Sequence, residues 1–293
     1  MEKNASQTVN RAVGAGRWFP DDSGELRSML EEYIKTLAAR AATGRVAAAI
    51  APHAGYIYSG PVAGHVFSVL RAQAAAGLAP DTVVILGFSH SRAFAGAAVM
   101  AGDAIATPLG QAALDREAGE ILIGAGRRVF FDSRPHQGEH SAENLIPFAQ
   151  AALPKAKLLP IIIGDHDAQT RAALGAGLAK LAQQKKIVVV ASSDMLHDPD
   201  YAKVTRTDRA TLEKVAAMQT AAVLGAWQPS HQVFCGIAAV AVAMEFAAQQ
   251  GCKHGVVLHY RNSGDDHPES RGQWVVGYGA VVFPLDPDSR PGQ

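Results

Sequence analysis

The sequence predicts an α/β protein: a single three-layer α/β/α domain with a mixed, largely parallel central sheet. Seven apolar runs of strand length recur along the chain, several continuous rather than alternating, as strands covered on both faces are. Helix-like segments lie between them, the order that builds parallel strands with crossover helices. No low-complexity linker, charge block or repeat divides the 293 residues. One domain over 1–293 is therefore expected, with a core of about 11–284 and frayed, flexible ends.

In order, GELRSMLEEYIKTLAAR (24–40) reads as a helix and VAAAI (46–50) as the first strand, followed by the turn APHAGYIYSG and the helical GPVAGHVFSVL. TVVILG (82–87) is a strand, LDREAGEILIGAG a helix, RVFF (128–131) a strand and SAENLIPFAQAAL a helix. LLPIII (158–163), DAQTRAALGAGLAKLAQQ and IVVVAS (187–192) continue as strand, helix, strand. Two helices, DRATLEKVAAM and FCGIAAVAVAMEFAAQQG, precede the last strands, GVVLHY (255–260) and WVVGYGAVVF (274–283). In such sheets ligands bind beyond the carboxyl ends of the strands. Function is to be sought there.

Composition narrows the classes. Hydrophobic residues at 48% and charged residues at 18% supply a sizeable core and exclude disordered, collagen-like and coiled-coil chains. Lys plus Arg and Asp plus Glu are 27 each, leaving no net charge to attract nucleic acid or an anionic membrane. The longest apolar stretch, 236–248, is broken by Glu245 and is too short to span a bilayer. Two cysteines, Cys235 and Cys252, make no disulfide framework, and the opening lacks a signal-like apolar stretch, so a cytoplasmic protein with reduced thiols is expected. A small-molecule or protein partner is expected instead. One count stands out, the 11 histidines.

Several sit just past strand ends. His53 follows VAAAI, where Pro52 and Gly55 force a turn expected to expose it; His90 follows TVVILG; Asp194 and His197 follow IVVVAS. If that last turn is helical, the i, i+3 spacing puts Asp194 and His197 on one face. GEHSAE supplies Glu139 and His140 at a helix start, and Cys235 opens an apolar helix whose dipole favours thiolate. Any one of these has a plain reading as a polar surface or hydrogen-bonded residue, and Asp194 as a turn cap. Their common position on separate strands points instead to a metal or acid/base centre. His197 is the general acid/base candidate, Asp194 its orienting group or a carboxylate ligand, and Tyr56 and Tyr58 pocket or packing residues. His231, His254, His259 and His267 read as structural and His65 as a packed or surface residue; His136 lies in a loop that could reach the rim, and His166 also follows a strand end, LLPIII, its plain reading being a helix start capped by Asp165 or Asp167. The sequence has no Gly-rich phosphate loop, GxGxxG, GxSxG or HExxH.

APHAGYIYSGPVAGH, VVILGFSHS, TPLGQAALD, EHSAENLIPFAQ, SSDMLH, FCGI and LHYRNSGD with VVGYGAVVF, in that order and after an opening RAVGAGRWFPDD, resemble the signatures of the Memo family, called AmmeMemoRadiSam system protein B in prokaryotes. The resemblance covers nearly the whole chain. It departs at Phe88-Ser89, where the family usually has Pro-Asn before the second histidine. It implies a fold like that of class III extradiol ring-cleaving dioxygenases, with metal ligands at His53, His90 and Cys235, Asp194 and His197 close by, and His140 as a further pocket residue. Fe(II) is the first expectation, with copper or zinc as alternatives because a thiolate softens the site. Radical-SAM and AMMECR-type proteins are the implied partners. The resemblance leaves three readings: a non-haem iron or copper oxidoreductase of extradiol-dioxygenase type, a non-catalytic metal- or phosphopeptide-binding protein, or a metal-dependent hydrolase.

Overall fold

Strands that are apolar throughout must be covered on both sides, and the computed structural model, which describes residues 7–35 and 44–285, covers them. In chain order the strands are β1 (Val9–Arg11), β2 (Val46–Ala51), β3 (Thr82–Phe88), β4 (Ala97–Val99), β5 (Ala104–Thr107), β6 (Gly110–Ala113), β7 (Val129–Phe131), β8 (Lys157–Ile163), β9 (Ile187–Ser192), β10 (His197–Asp198), β11 (Val256–Asn262) and β12 (Val275–Pro284). The α-helices are α1 (Ser23–Lys35), α2 (Tyr56–Gln73), α3 (Arg116–Ile123), α4 (Ile146–Ala152), α5 (Ala168–Ala182), α6 (Tyr201–Ala216), α7 (Thr220–Ala226), α8 (Ile237–Gln249) and α9 (Ser263–Asp266).

Nine strands form the main sheet in the order β10-β12-β2-β9-β3-β8-β4-β7, with β11 also paired to β12. Its centre, β2-β9-β3-β8, is parallel, while β12 on β2 and β4 on β8 run antiparallel. Strand side chains alternate between the two faces. Ile50, Leu86 and Val189 join Leu122, Leu178 and Val240 of α3, α5 and α8, whereas Ala49, Ile85 and Val190 join Leu30, Phe67 and Phe148 of α1, α2 and α4. These two apolar layers make the molecule a three-layer α/β/α domain. Burying each large side chain in them is worth about 1.5–3 kcal/mol. The helix layer closes tightly because Gly60 and Gly64 of α2 lie against Tyr33 of α1, where a Cβ at Gly64 would strike the Tyr33 carbonyl oxygen.

All seven expected strands are present. Four features differ from the sequence reading. The turn after β9 is extended rather than helical, so Asp194 and His197 do not share a helix face; Met195 donates its amide to the Gly277 carbonyl and Gly277 donates back to Leu196, which holds the turn flat against β12. The helix expected to follow the first motif begins at once, at Tyr56. Residues 9–11, expected among the frayed residues, are tied down as β1 beside β5 in a separate three-stranded sheet, β1-β5-β6. The polypeptide also forms β4, β5, β6, β10, α7 and α9, for which the sequence predicts no element. The expected frayed stretches 1–6 and 286–293, and the end of the first helix at 36–40, lie outside the described residues.

Candidate metal centre

The parallel centre of the sheet ends at Ala51, Ser192, Phe88 and Ile163; the loops leaving the first three of these strand ends supply His53, Asp194 and His90, while Glu139 and His140 come from the segment before α4 and Cys235 from the segment before α8. His53 is buried, only 2% exposed, which corrects the expectation that its turn exposes it. The reason is a carboxylate from the neighbouring turn: Asp194 Oδ1 accepts from the amides of His53 (2.7 Å) and Ala54 (3.2 Å) and draws the loop inward. Asn144 Nδ2 donates to the His53 carbonyl at 2.7 Å and fixes the other side.

His53 and His90 are each oriented through the nitrogen that faces the protein. Ser192 gives its only hydroxyl proton to the Ser141 carbonyl, so its oxygen accepts from His53 Nδ1–H at 3.0 Å. The lone pair of a neutral His53 is thereby placed on Nε2. His90 Nδ1 lies 2.9 Å from Glu139 Oε1, and Glu139 also accepts from the amides of His90 (2.7 Å) and Ser141 (2.9 Å). His140 is stacked on Trp18, with ring centroids 4.3 Å apart and planes 12° apart. The three imidazoles form a triangle with centroid separations of 5.3, 5.3 and 5.0 Å, and one ligating nitrogen of each lies within 4.8 Å of the others. This group is able to hold a metal ion.

Cys235 adjoins the triangle. Its Sγ is 3.4 Å from His53 Nε2 and 3.5 Å from Ser193 Oγ. Its amide donates to the Asp194 carbonyl just before α8. Burial opposes ionisation of the thiol, but His53 and His90 beside it outweigh burial and hold it well below the ordinary range. In return the thiolate raises both imidazoles against the cost of burial, His90 to about 10 with help from Glu139. Glu139 sits at about 2 although burial alone would raise it, because His90 donates to it. His140, desolvated and facing two other imidazoles, falls to about 4 and is a neutral donor at physiological pH.

These residues fit a metal. Donors sharing a tetrahedral ion at ordinary bond lengths sit about 3.5 Å apart, close to the Cys235–His53 separation. A carboxylate behind a histidine, as Glu139 stands behind His90, is the usual second layer of such sites.

Of the expected site residues, the fold brings together His53, His90, His140 and Cys235, with Asp194 positioning the first. His197 faces elsewhere: its Nδ1 meets the Met195 carbonyl at 2.9 Å and its ring tilts toward Trp274 at 6.1 Å. Tyr56 donates to the Asn144 carbonyl at 2.7 Å, and both Tyr56 and Tyr58 line a cavity of about 710 Å³ with Trp18, Trp274 and Tyr278. Trp18 is its wall on the His140 side. Sequence reasoning assigned no role to Trp18, Ser192 or Asn144, whose partners are far away along the chain. Among the other histidines, His65 stacks on His259 at 4.2 Å, buried His136 reaches the Ala98 carbonyl at 3.0 Å, and Asp167 caps α5 after His166.

A family model described as Memo-like protein matches residues 11–282. The MEMO1 family protein of Methanopyrus kandleri is 31% identical over 282 residues, covering 92% of this chain and 96% of that one. That of Desulfurococcus amylolyticus is 32% identical, covering 92% and 97%. Among solved structures, an uncharacterized protein from Escherichia coli K12 matches 82% of this chain and all of its own at 14% identity, with a TM-score of 0.49. No helix among the described residues is long and apolar enough to cross a membrane.

Proposed function

The chain belongs to the Memo family, and from that premise we propose that the rim cluster is a mononuclear metal centre serving oxidation of a small molecule, with Fe(II) as the first candidate and copper next. The observation that carries the reading is the convergence of His53, His90 and His140, from three separate segments, to within 4.8 Å. The ligand set comprises these three imidazoles and the Cys235 thiolate as the anionic donor, which extends the triple His53, His90 and Cys235 by one. Fe(II) held by such a set would supply one-electron chemistry toward O₂.

The chain's own residues do the rest. Ser192 and Glu139 hold His53 and His90 with Nε2 turned to the centre, and Asp194 fixes the loop that carries His53. Trp18 shields His140 and separates the centre from the aromatic-walled cavity, whose size suits a small organic molecule. The resemblance to extradiol dioxygenases is what suggests an aromatic or other small molecule as the substrate. No contact joins His197 to the cluster among the described residues, since its Nδ1 meets the Met195 carbonyl and its ring tilts toward Trp274, so no proton-transfer role at the centre is assigned to it.

The test is anaerobic purification, loading with Fe(II), and O₂ uptake with a panel of catechols. Uptake that disappears in His53→Ala and His90→Ala is expected. Absence of uptake across metals and catechols would sink the oxidase reading, and full metal content in both variants would sink the centre itself.

A further inference from the structure

Across Phe88 from the histidine cluster, a second recess of about 320 Å³ opens between α5, α7 and α8, lined by His166, Arg171, Leu224, Trp227, Ile237 and Ala238. Its volume is at the small end of ligand pockets. One wall is aromatic: His166 stacks on Phe88 with centroids 4.4 Å apart and meets Trp227 at 4.4 Å. Trp227 is itself fixed, its indole N–H donating to the Phe234 carbonyl at 3.1 Å. The opposite wall is aliphatic.

The cation in this recess is under-used. Arg171 Nη1 donates to the His166 carbonyl at 3.0 Å, while its Nε is buried and donates to nothing among the described residues. No carboxylate oxygen lies within salt-bridge distance of it among the described residues, although other arginines of this molecule, such as Arg71, Arg128 and Arg261, have carboxylate partners. Glu245 of α8 feels its charge, yet burial outweighs that charge and leaves the Glu245 carboxyl raised. Guanidinium presents a planar fork that matches a carboxylate through two parallel N–H donors.

We infer that this recess is a second ligand site, separate from the metal centre, that takes a small planar aromatic carboxylate: the carboxylate on Arg171, the ring against Trp227 and His166, the edge on Leu224 and Ile237. This inference stands apart from the oxidation reading, since none of its residues is a proposed metal ligand.

The experiment titrates sodium benzoate into the metal-chelated full chain and follows tryptophan emission, with Trp227→Phe identifying the responding indole. Benzoate is expected to give a saturable change that Trp227→Phe abolishes. Benzyl alcohol, of the same size but neutral, is expected to bind at least about tenfold more weakly, as loss of a charge-assisted pair implies. Arg171→Met is expected to weaken benzoate to the same degree, and Arg171→Lys by less. His53→Ala should leave the titration unchanged. Equal binding of benzyl alcohol and benzoate by the unaltered protein, or no saturable change, overturns the proposal without any variant having to fold. Undiminished benzoate binding by a folded Arg171→Met, or loss of binding in His53→Ala, overturns it as well.

Discussion

Glu139 and Ser192 do the same work for different histidines: each occupies Nδ1 and leaves Nε2 for the cluster. Replacing the charge but not the shape, Glu139→Gln, is expected to weaken metal affinity by about 10–100-fold in competition with a chelating dye. Unchanged affinity would remove Glu139 from the account. Asp208 gives a second residue-scale prediction. It is fully buried, accepts from the Leu196 amide at 3.2 Å and the Tyr260 hydroxyl at 3.0 Å, and burial pushes its carboxyl up to about 7. The folded protein therefore holds this proton more tightly than the unfolded chain does. The stability it contributes is complete below about pH 4 and is lost as pH rises through about 7, by as much as about 4 kcal/mol. Urea midpoints at pH 5 and 8 should fall for the natural protein relative to Asp208→Asn, which cannot ionise; parallel pH trends would refute this. At this scale the sequence marked His53, His90 and Cys235 as candidates because each stands next to a strand or helix end. It hid what pins them, since Glu139 is 49 residues from His90 and Ser192 is 139 from His53.

Elements were legible where burial on both faces leaves a continuous apolar run, as in β2, β3, β8 and β9. Short strands such as Ala97–Val99 and Gly110–Ala113 offer too few residues for a period, and their alanines and glycine carry little strand preference. The extended turn before His197 was illegible for another reason: its partner is Gly277, far along the chain. Two helix glycines separate packing from propensity. A Cβ at Gly64 of α2 would meet the Tyr33 backbone, so Gly64→Ala should destabilise the protein by about 1–3 kcal/mol through overpacking. Gly225 of α7 is exposed, with nothing within 4 Å of a built Cβ, so Gly225→Ala should instead stabilise by roughly 0.4–1 kcal/mol. Chemical denaturation reads both, and stabilisation by Gly64→Ala as well would show that α1 and α2 do not approach as described.

For the whole molecule, the two apolar layers are built without His53, His90, His140 or Cys235, and the fold is expected to stand without an ion at those residues. Chelation should leave the far-UV circular dichroism intact. An ion present at about 100 times its Kd adds roughly 2.7 kcal/mol, so its removal should lower Tm by about 4 °C. Collapse of the spectrum on chelation would make the metal structural rather than functional. The most direct test is anomalous diffraction at the iron edge from crystals grown anaerobically with Fe(II). The account predicts one peak at the imidazole triangle, bonded at about 2.0–2.3 Å to nitrogens of His53, His90 and His140, with Cys235 Sγ as the sulfur donor. A peak elsewhere, or none at full Fe(II) loading, would contradict it.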